Sequence, residues 1–259
     1  MGVMKNLSSS SPIVFSAGIA AFAVGSVAAP ALAEDPQSER ANADLVSLLN
    51  AQVAPRHPSA RYTDAASGRS FTLDRTGPYP LLKYEDVSEV IVLSASNAQR
   101  GDEFLKNDVG RNVMKVTELG NVILFTPGDA HGSPAGLDER SDPLGLPEYS
   151  GDLDERIAGS AEMLAQKIGH DIAISIEPEL RQYANWAEDA LSNAERGFRR
   201  ANSKFASELT GVRIVFSKGA FVYCEEGVLS IGVAPHEGFA GRPSSEAIAL
   251  AISLNGHRS

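Results

Sequence analysis

Between residues 61 and 126 the chain is a succession of short runs in which apolar side chains alternate with polar ones. The runs at 61–64, 69–74, 81–85, 89–94, 103–107, 113–117 and 121–126 carry this period of two, which predicts β-strands with one buried face. Turn residues separate them: Ser67-Gly68, Gly77-Pro78, Arg100-Gly101-Asp102, Asn107-Asp108-Val109-Gly110 and Leu119-Gly120-Asn121. The connections are too short for parallel crossovers. The pattern therefore predicts an antiparallel meander curled into a small barrel or sandwich. The runs fall short of the roughly ten residues that each strand of an outer-membrane barrel needs.

After residue 151 the period changes. Leu153, Ile157, Ala161, Leu164 and Ile168 recur at the spacing of one helical stripe, and Gly169 ends it. Residues 172–176 (IAISI) alternate again, as a short strand would. Glu177-Pro178-Glu179 then opens a long helical pattern. In it Leu180, Ala184, Ala187, Leu191, Ala194, Phe198, Ala201 and Phe205 form an a/d seam, with Gly197 as the expected kink or break. The seam has two readings: packing on the 152–168 helix and the C-terminal sheet, or docking of a partner helix or a second copy of the chain. A helix that covers both a sheet and a neighbour needs such a stripe, which favours packing within the chain. Runs at 213–217, 220–224 and 228–233, joined at Lys218-Gly219 and Glu225-Glu226-Gly227, predict a three-stranded antiparallel sheet. A last helix, 244–254, follows Pro243 with Ser244 or Ser245 as cap.

Upstream, Asp35-Pro36 pairs an N-cap residue with proline at the first helical position. Leu45, Val46, Leu48, Leu49 and Val53 give this leading helix an apolar stripe, and Pro55 and Pro58 stop it. The first 33 residues differ. Lys5, an uncharged apolar run over 13–29 and Ala31-Leu32-Ala33 ahead of Glu34-Asp35 are the parts of a cleaved secretory signal peptide. An uncleaved anchor is the alternative. The run is short for a span of about 20 residues, and Gly18, Gly25 and Pro30 interrupt it. Between 127 and 151, Gly128, Gly132, Pro134, Gly136, Pro143, Gly145 and Pro147 stand among acidic residues and read as a linker. The expected plan is α+β: a signal peptide over 1–33, a leading helix over 34–58, an antiparallel β domain over 59–127, a linker over 128–151 and a helical α+β domain with a three-stranded antiparallel sheet over 152–259.

Composition narrows the function. With 43% hydrophobic and 22% charged residues, the chain can bury a core. A formal net charge of −10 weighs against a nucleic-acid partner, and no second apolar run reaches the length of a membrane span. Cys224 is the only cysteine, so no intramolecular disulfide forms. It has no Cys-x-x-Cys partner, and reads as a small buried strand residue rather than a redox thiol or an intermolecular bridge.

The motifs of familiar chemistry are missing. There is no Gly-x-Ser-x-Gly elbow, Ser-x-x-Lys pair, Walker A sequence or Gly-x-Gly-x-x-Gly after a strand. Ser230, between Gly227 and Gly232, lies inside a predicted strand. His57, His131, His170, His236 and His257 are scattered, and none pairs with another four residues on. His170-Asp171 and His236-Glu237 set a ligand beside a carboxylate, but adjacent strand residues face opposite ways. The loop Gly128-Asp129-Ala130-His131-Gly132 needs a partner from elsewhere to hold a metal. Arg100-Gly101-Asp102 is accounted for as a hairpin turn. No catalytic residue, metal site or cofactor is assigned. One cluster stands out: Arg196, Arg199, Arg200 and Lys204 recur at helical spacing, with Arg213 as a further candidate. The functional reading is an anion site for a lipid headgroup, an acidic polymer or an acidic partner. The structural reading is a solvated face that complements the negative end of the helix dipole.

The strings Ser70-Phe71-Thr72-Leu73-Asp74-Arg75, Arg100-Gly101-Asp102, Lys106-Asn107-Asp108-Val109-Gly110, Gly227-Val228-Leu229-Ser230-Ile231-Gly232-Val233 and Gly241-Arg242-Pro243-Ser244-Ser245 resemble a group of exported alphaproteobacterial proteins that carry a domain of unknown function. The resemblance implies a Gram-negative periplasmic setting and carries over no catalytic residue. The expected function is a non-enzymatic periplasmic binding or envelope-associated protein, whose partner is an envelope protein or an anionic envelope component. The alternative is a periplasmic hydrolase using carboxylates or a metal in a cleft between the lobes, where such sites are common.

Overall fold

Residues 58–255 are described by a computed structural model of the chain. The expected signal peptide, the leading helix and the uncleaved-anchor alternative lie outside the described residues.

Nine strands come first: β1 (Ser59–Asp64), β2 (Ser70–Asp74), β3 (Leu81–Tyr84), β4 (Val90–Val92), β5 (Ser94–Asn97), β6 (Glu103–Lys106), β7 (Asn112–Val116), β8 (Val122–Thr126) and β9 (Asp129–Arg140). All their pairings are antiparallel, in the order β4-β3-β2-β1-β9-β8-β7-β6-β5. The two edges, β4 and β5, are joined through buried Leu93 alone, whose amide donates to the Pro80 carbonyl at 2.8 Å. One bent segment therefore pairs with β3 by its first half and with β6 by its second, and the sheet rolls into a nearly closed barrel. The inward residues of the alternation fill it: Ala60 and Tyr62, Phe71 and Leu73, Leu82, Leu105, Met114, Val122 and Leu124. Tyr62 stacks on its cross-strand neighbour Phe71, with ring centroids 5.6 Å apart.

Two strands depart from expectation. β5 reads Ser-Ala-Ser-Asn and is largely exposed, so no apolar period marked it. β9, taken as part of a linker, is the longest strand of the barrel and pairs with both β1 and β8. Gly132 sits in the register shift against β8, a bulged setting that accepts glycine, whereas Pro134 and Gly136 pair in register with Ile123 and Thr63. At Gly132 (φ 75°) a Cβ would fall within 2.7 Å of Ile123, so the glycine answers a close approach rather than a loop. The rest of the stretch is also held: Leu144 N–H donates to Asp74 Oδ2 at 2.7 Å, and Tyr149 N–H to Asn185 Oδ1 at 3.0 Å.

The second half contains α1 (Leu153–Ile168), β10 (Ala173–Ile176), α2 (Pro178–Arg181), α3 (Ala184–Arg200), α4 (Ser203–Ala206), β11 (Gly211–Phe216), β12 (Phe221–Glu225), β13 (Val228–Val233) and α5 (Ser245–Asn255). Asp152 caps α1 by accepting from Asp154 and Glu155 N–H, and left-handed Gly169 ends it, as the sequence signals required. The long seam is three helices rather than one, interrupted at residues 182–183 and 201–202. Gly197 is not the break. It lies within α3 where α5 crosses, and a Cβ there would overlap Ile248. The seam residues Leu180, Ala187, Leu191, Ala194, Phe198 and Ala201 are all buried in the core shared with α1, α5 and the sheet.

The C-terminal sheet has four strands in the order β10-β11-β13-β12, not a three-stranded meander. β11 pairs in parallel with β10 and β13, and only β12 runs antiparallel to β13. The four residues between β11 and β12 cross two strand spacings, roughly 10 Å, over the end of β13. Burial explains the exchange: β13 (VLSIGV) is almost wholly buried and takes the interior position, whereas β12 (FVYCE) is half exposed and takes the edge. All described residues fall in one compact unit.

Candidate site at one end of the barrel

Four strand connections lie at one end of the barrel: β1–β2, β3–β4, β6–β7 and β8–β9. The helical lobe docks there through two of them. In the β6–β7 turn, Asn107 Oδ1 accepts from Arg111 N–H at 2.9 Å, and Gly110 supplies φ 80°. That folding leaves Asn107 Nδ2 to donate to Glu246 Oε2 on α5 at 2.9 Å, beside Arg111 Nη2 at 2.7 Å. Asp108 accepts from Ser244 N–H (2.8 Å) and Ser244 Oγ (2.7 Å). Ser244 in turn caps α5 by accepting from Ala247 N–H at 3.1 Å.

From the β3–β4 connection, buried Glu89 accepts from Ser245 N–H (2.8 Å) and Ser245 Oγ (2.5 Å). Two carboxylates thus meet the positive end of α5. Arg242, wholly buried, pairs through Nε with Asp189 of α3 and donates from Nη2 to the Val90 carbonyl of β4 at 2.8 Å. Burial pushes the Asp189 carboxyl above the usual carboxylate range, and the Arg242 charge opposes it.

Beside this junction lies a cleft of about 720 Å³. Residues in or beside each connection at that end of the barrel form its wall. Arg69 comes from the first, Tyr84 and Ile91 flank the second, Val109 and Arg111 come from the third, and Phe125, Thr126 and Pro127 lead into the fourth. α5 closes the other side with Glu246, Ala249, Leu250 and Ser253, and Arg200 of α3 completes it. Arg69 lies over the Tyr84 ring at 3.7 Å and is held there by Asp86 at 2.7 Å. Burial raises the Tyr84 phenol, against the neighbouring Arg69 charge, so it is un-ionised at neutral pH. The lining is an apolar body with three arginines and one carboxylate. Its size and composition suit a mid-sized ligand with an apolar part and an anionic end.

Of the four basic residues read from the sequence, Arg196, Arg199 and Arg200 border one recess, while Lys204 lies apart from it. Arg196 is mostly buried. Its Nη1 donates to Ser88 Oγ (3.2 Å), its Nη2 to Asn193 Oδ1 (3.1 Å), and its Nε lies 3.7 Å from Glu89. Desolvation lowers its ionisation range. Arg200 lies 3.7 Å from the same Glu89 oxygen and reaches the cleft. Arg199 is turned toward α1, with Nη1 3.4 Å from Met163 Sδ. Lys204 is beyond the end of α3, on α4. Arg213 is on β11, on the sheet face opposite buried Val212 and Ile214.

The buried carboxylates have structural partners. Glu195 and Glu188 share Arg156 with Ser160 and Ser192, fastening α1 to α3. Among the described residues no three His, Cys, Asp or Glu side chains converge as a metal site, and no helix is long and apolar enough to cross a membrane. Cys224 is half-buried on β12, and burial pushes its thiol up to about 11.

Sequence reasoning missed Arg69, Tyr84, Arg111, Glu246 and Leu250, which come together only through the barrel closure and the docking of α5. The one signal was the pair of strings 106–110 and 241–245, which sit against each other in the fold.

A family model described as Domain of unknown function (DUF4908) matches residues 41–252. Comparison with curated proteins and with solved structures finds no match.

Proposed function

The chain belongs to this family with a domain of unknown function, and we propose from the cleft itself that it is a non-enzymatic binding protein for a small amphipathic anion. The observation that carries the reading is the cleft of about 720 Å³ framed by residues in or beside the four connections of one barrel end and by α5. The leader-like pattern over 1–33 supports action after export, in a periplasm. The ligand's apolar part would lie against Tyr84, Ile91, Val113, Phe125 and Leu250, and its charge near Arg111 and Arg200.

A direct test uses 11-(dansylamino)undecanoate, a fluorescent fatty-acid analogue. Leu250 and Leu254 are both exposed on α5, but only Leu250 lines the cleft. The expected result is saturable one-to-one binding, weakened about tenfold or more by Leu250→Arg, which removes an apolar contact with the ligand's chain, and unchanged by Leu254→Arg. Equal effects of the two variants, or no saturable binding, would overturn the reading.

A further inference from the structure

Next to the cleft, and sharing Arg200 with it, is a recess of about 340 Å³ lined by Asp86, Val87, Ser88, Arg196, Arg199 and Arg200. Its three arginines outnumber the two carboxylates beside them, Asp86 and Glu89. Both Asp86 oxygens are held by Arg69, at 2.9 and 3.1 Å from Nε. Glu89 lies behind the arginines and is almost wholly buried, with its two oxygens engaged by Ser245. It approaches Arg196 and Arg200 only to 3.7 Å, beyond hydrogen-bond reach. No carboxylate among the described residues is in ion-pair contact with Arg199. Arg196 is fixed by Ser88 and Asn193 and forms a charged floor, while Arg199 and Arg200 are exposed and keep free donors.

Three guanidiniums around one concavity, with their neighbouring carboxylates committed elsewhere, match an anion of two charges and several acceptor oxygens. We propose that this recess binds a phosphate group. A single-chain lipid phosphate would place its headgroup here and its tail in the cleft, through the shared Arg200. The recess itself stands without the cleft reading, and only the lipid source rests on it.

The test is calorimetric titration of the purified protein with inorganic phosphate, with a 12-carbon monoacylglycerol 3-phosphate and with dodecanoate. Phosphate binding that falls about tenfold in Arg199→Glu and in Arg200→Glu, with recovery in Arg199→Lys, supports the site. Lipid phosphate binding at least tenfold tighter than phosphate, with the gain lost in Leu250→Arg, makes the source a headgroup. Equal affinities make it free phosphate. Phosphate and lipid phosphate titrations unchanged in both glutamate variants overturn the site. Dansyl-undecanoate run in parallel separates the two claims. Its loss in Leu250→Arg alone leaves the cleft standing without the recess, and arginine-dependent phosphate binding without it leaves the recess standing without the cleft.

Discussion

His170 follows the Gly169 cap of α1 and turns both ring nitrogens toward carbonyl oxygens, Nδ1 to Asp171 at 2.8 Å and Nε2 to Ser207 at 2.9 Å. A carbonyl only accepts, so both contacts are satisfied when both nitrogens carry protons. These contacts raise the imidazole above its ordinary range. A group raised on folding contributes stability that is complete below its unfolded value, about 6.5, and is lost as pH rises through the folded value. His170→Gln is therefore expected to lower the denaturation midpoint at about pH 5.5 and to match the parent at about pH 9. An equal gap at both would show that the charge plays no part. Cys224 gives a second expectation at this scale. With its thiol pushed up to about 11, it is almost entirely protonated at neutral pH. Alkylation by iodoacetamide at neutral pH should run far slower than for glutathione. A comparable rate would mean that the thiol is exposed and reactive. Its reading as a plain strand residue was available from the sequence, because a lone cysteine without a neighbour has little else to do. The opposite holds for Arg196, Arg199 and Arg200. Their helical spacing was legible, but their different neighbours depend on the β3–β4 connection and on α1, which are distant in sequence.

Among the elements, α3 and α5 show how one residue sets an interhelical distance. Ala is ordinarily better than Gly inside a helix, by about 1 kcal/mol. At Gly197, however, a Cβ would overlap Ile248, lying 2.7 Å from its Cβ and 3.2 Å from the Ser245 carbonyl, both on α5. Overpacking costs about 1–3 kcal/mol and outweighs the propensity gain. Gly197→Ala should therefore destabilise the fold and loosen the α5 wall of the cleft, as urea denaturation and dansyl-undecanoate affinity would report together. Gly232→Ala is the control. The nearest atoms to its Cβ would be those of the ring of Phe221, an exposed side chain on the edge strand that can swing away. Equal destabilisation by both would contradict this packing argument. Helix and strand identities were legible wherever apolar periodicity was strong, as in α1, β2 and β13. They were lost in β9, where Gly132, Pro134 and Gly136 stand in place of large side chains, and in exposed β5. The order of β11, β12 and β13 depends on which strand is buried on both faces, a choice that local turn signals cannot express.

For the whole molecule, barrel and helical lobe are joined by buried or partly buried polar contacts in place of a long linker. Glu89, Asn107 and Asp108 hold the first turn of α5, and Arg242 crosses to Val90. These contacts fix the spacing that leaves the cleft open beside them. The α+β class and the barrel-like meander could be read from the chain, whereas the cleft could not, since its wall draws on residues from Arg69 to Ser253. The most direct measurement is hydrogen–deuterium exchange of the protein with and without saturating dansyl-undecanoate. Binding at the barrel end predicts new protection in the β6–β7 turn around residues 107–113 and along residues 246–253 of α5, with β12 and α1 unchanged. Protection confined to the C-terminal sheet, or none at saturation, would contradict the account.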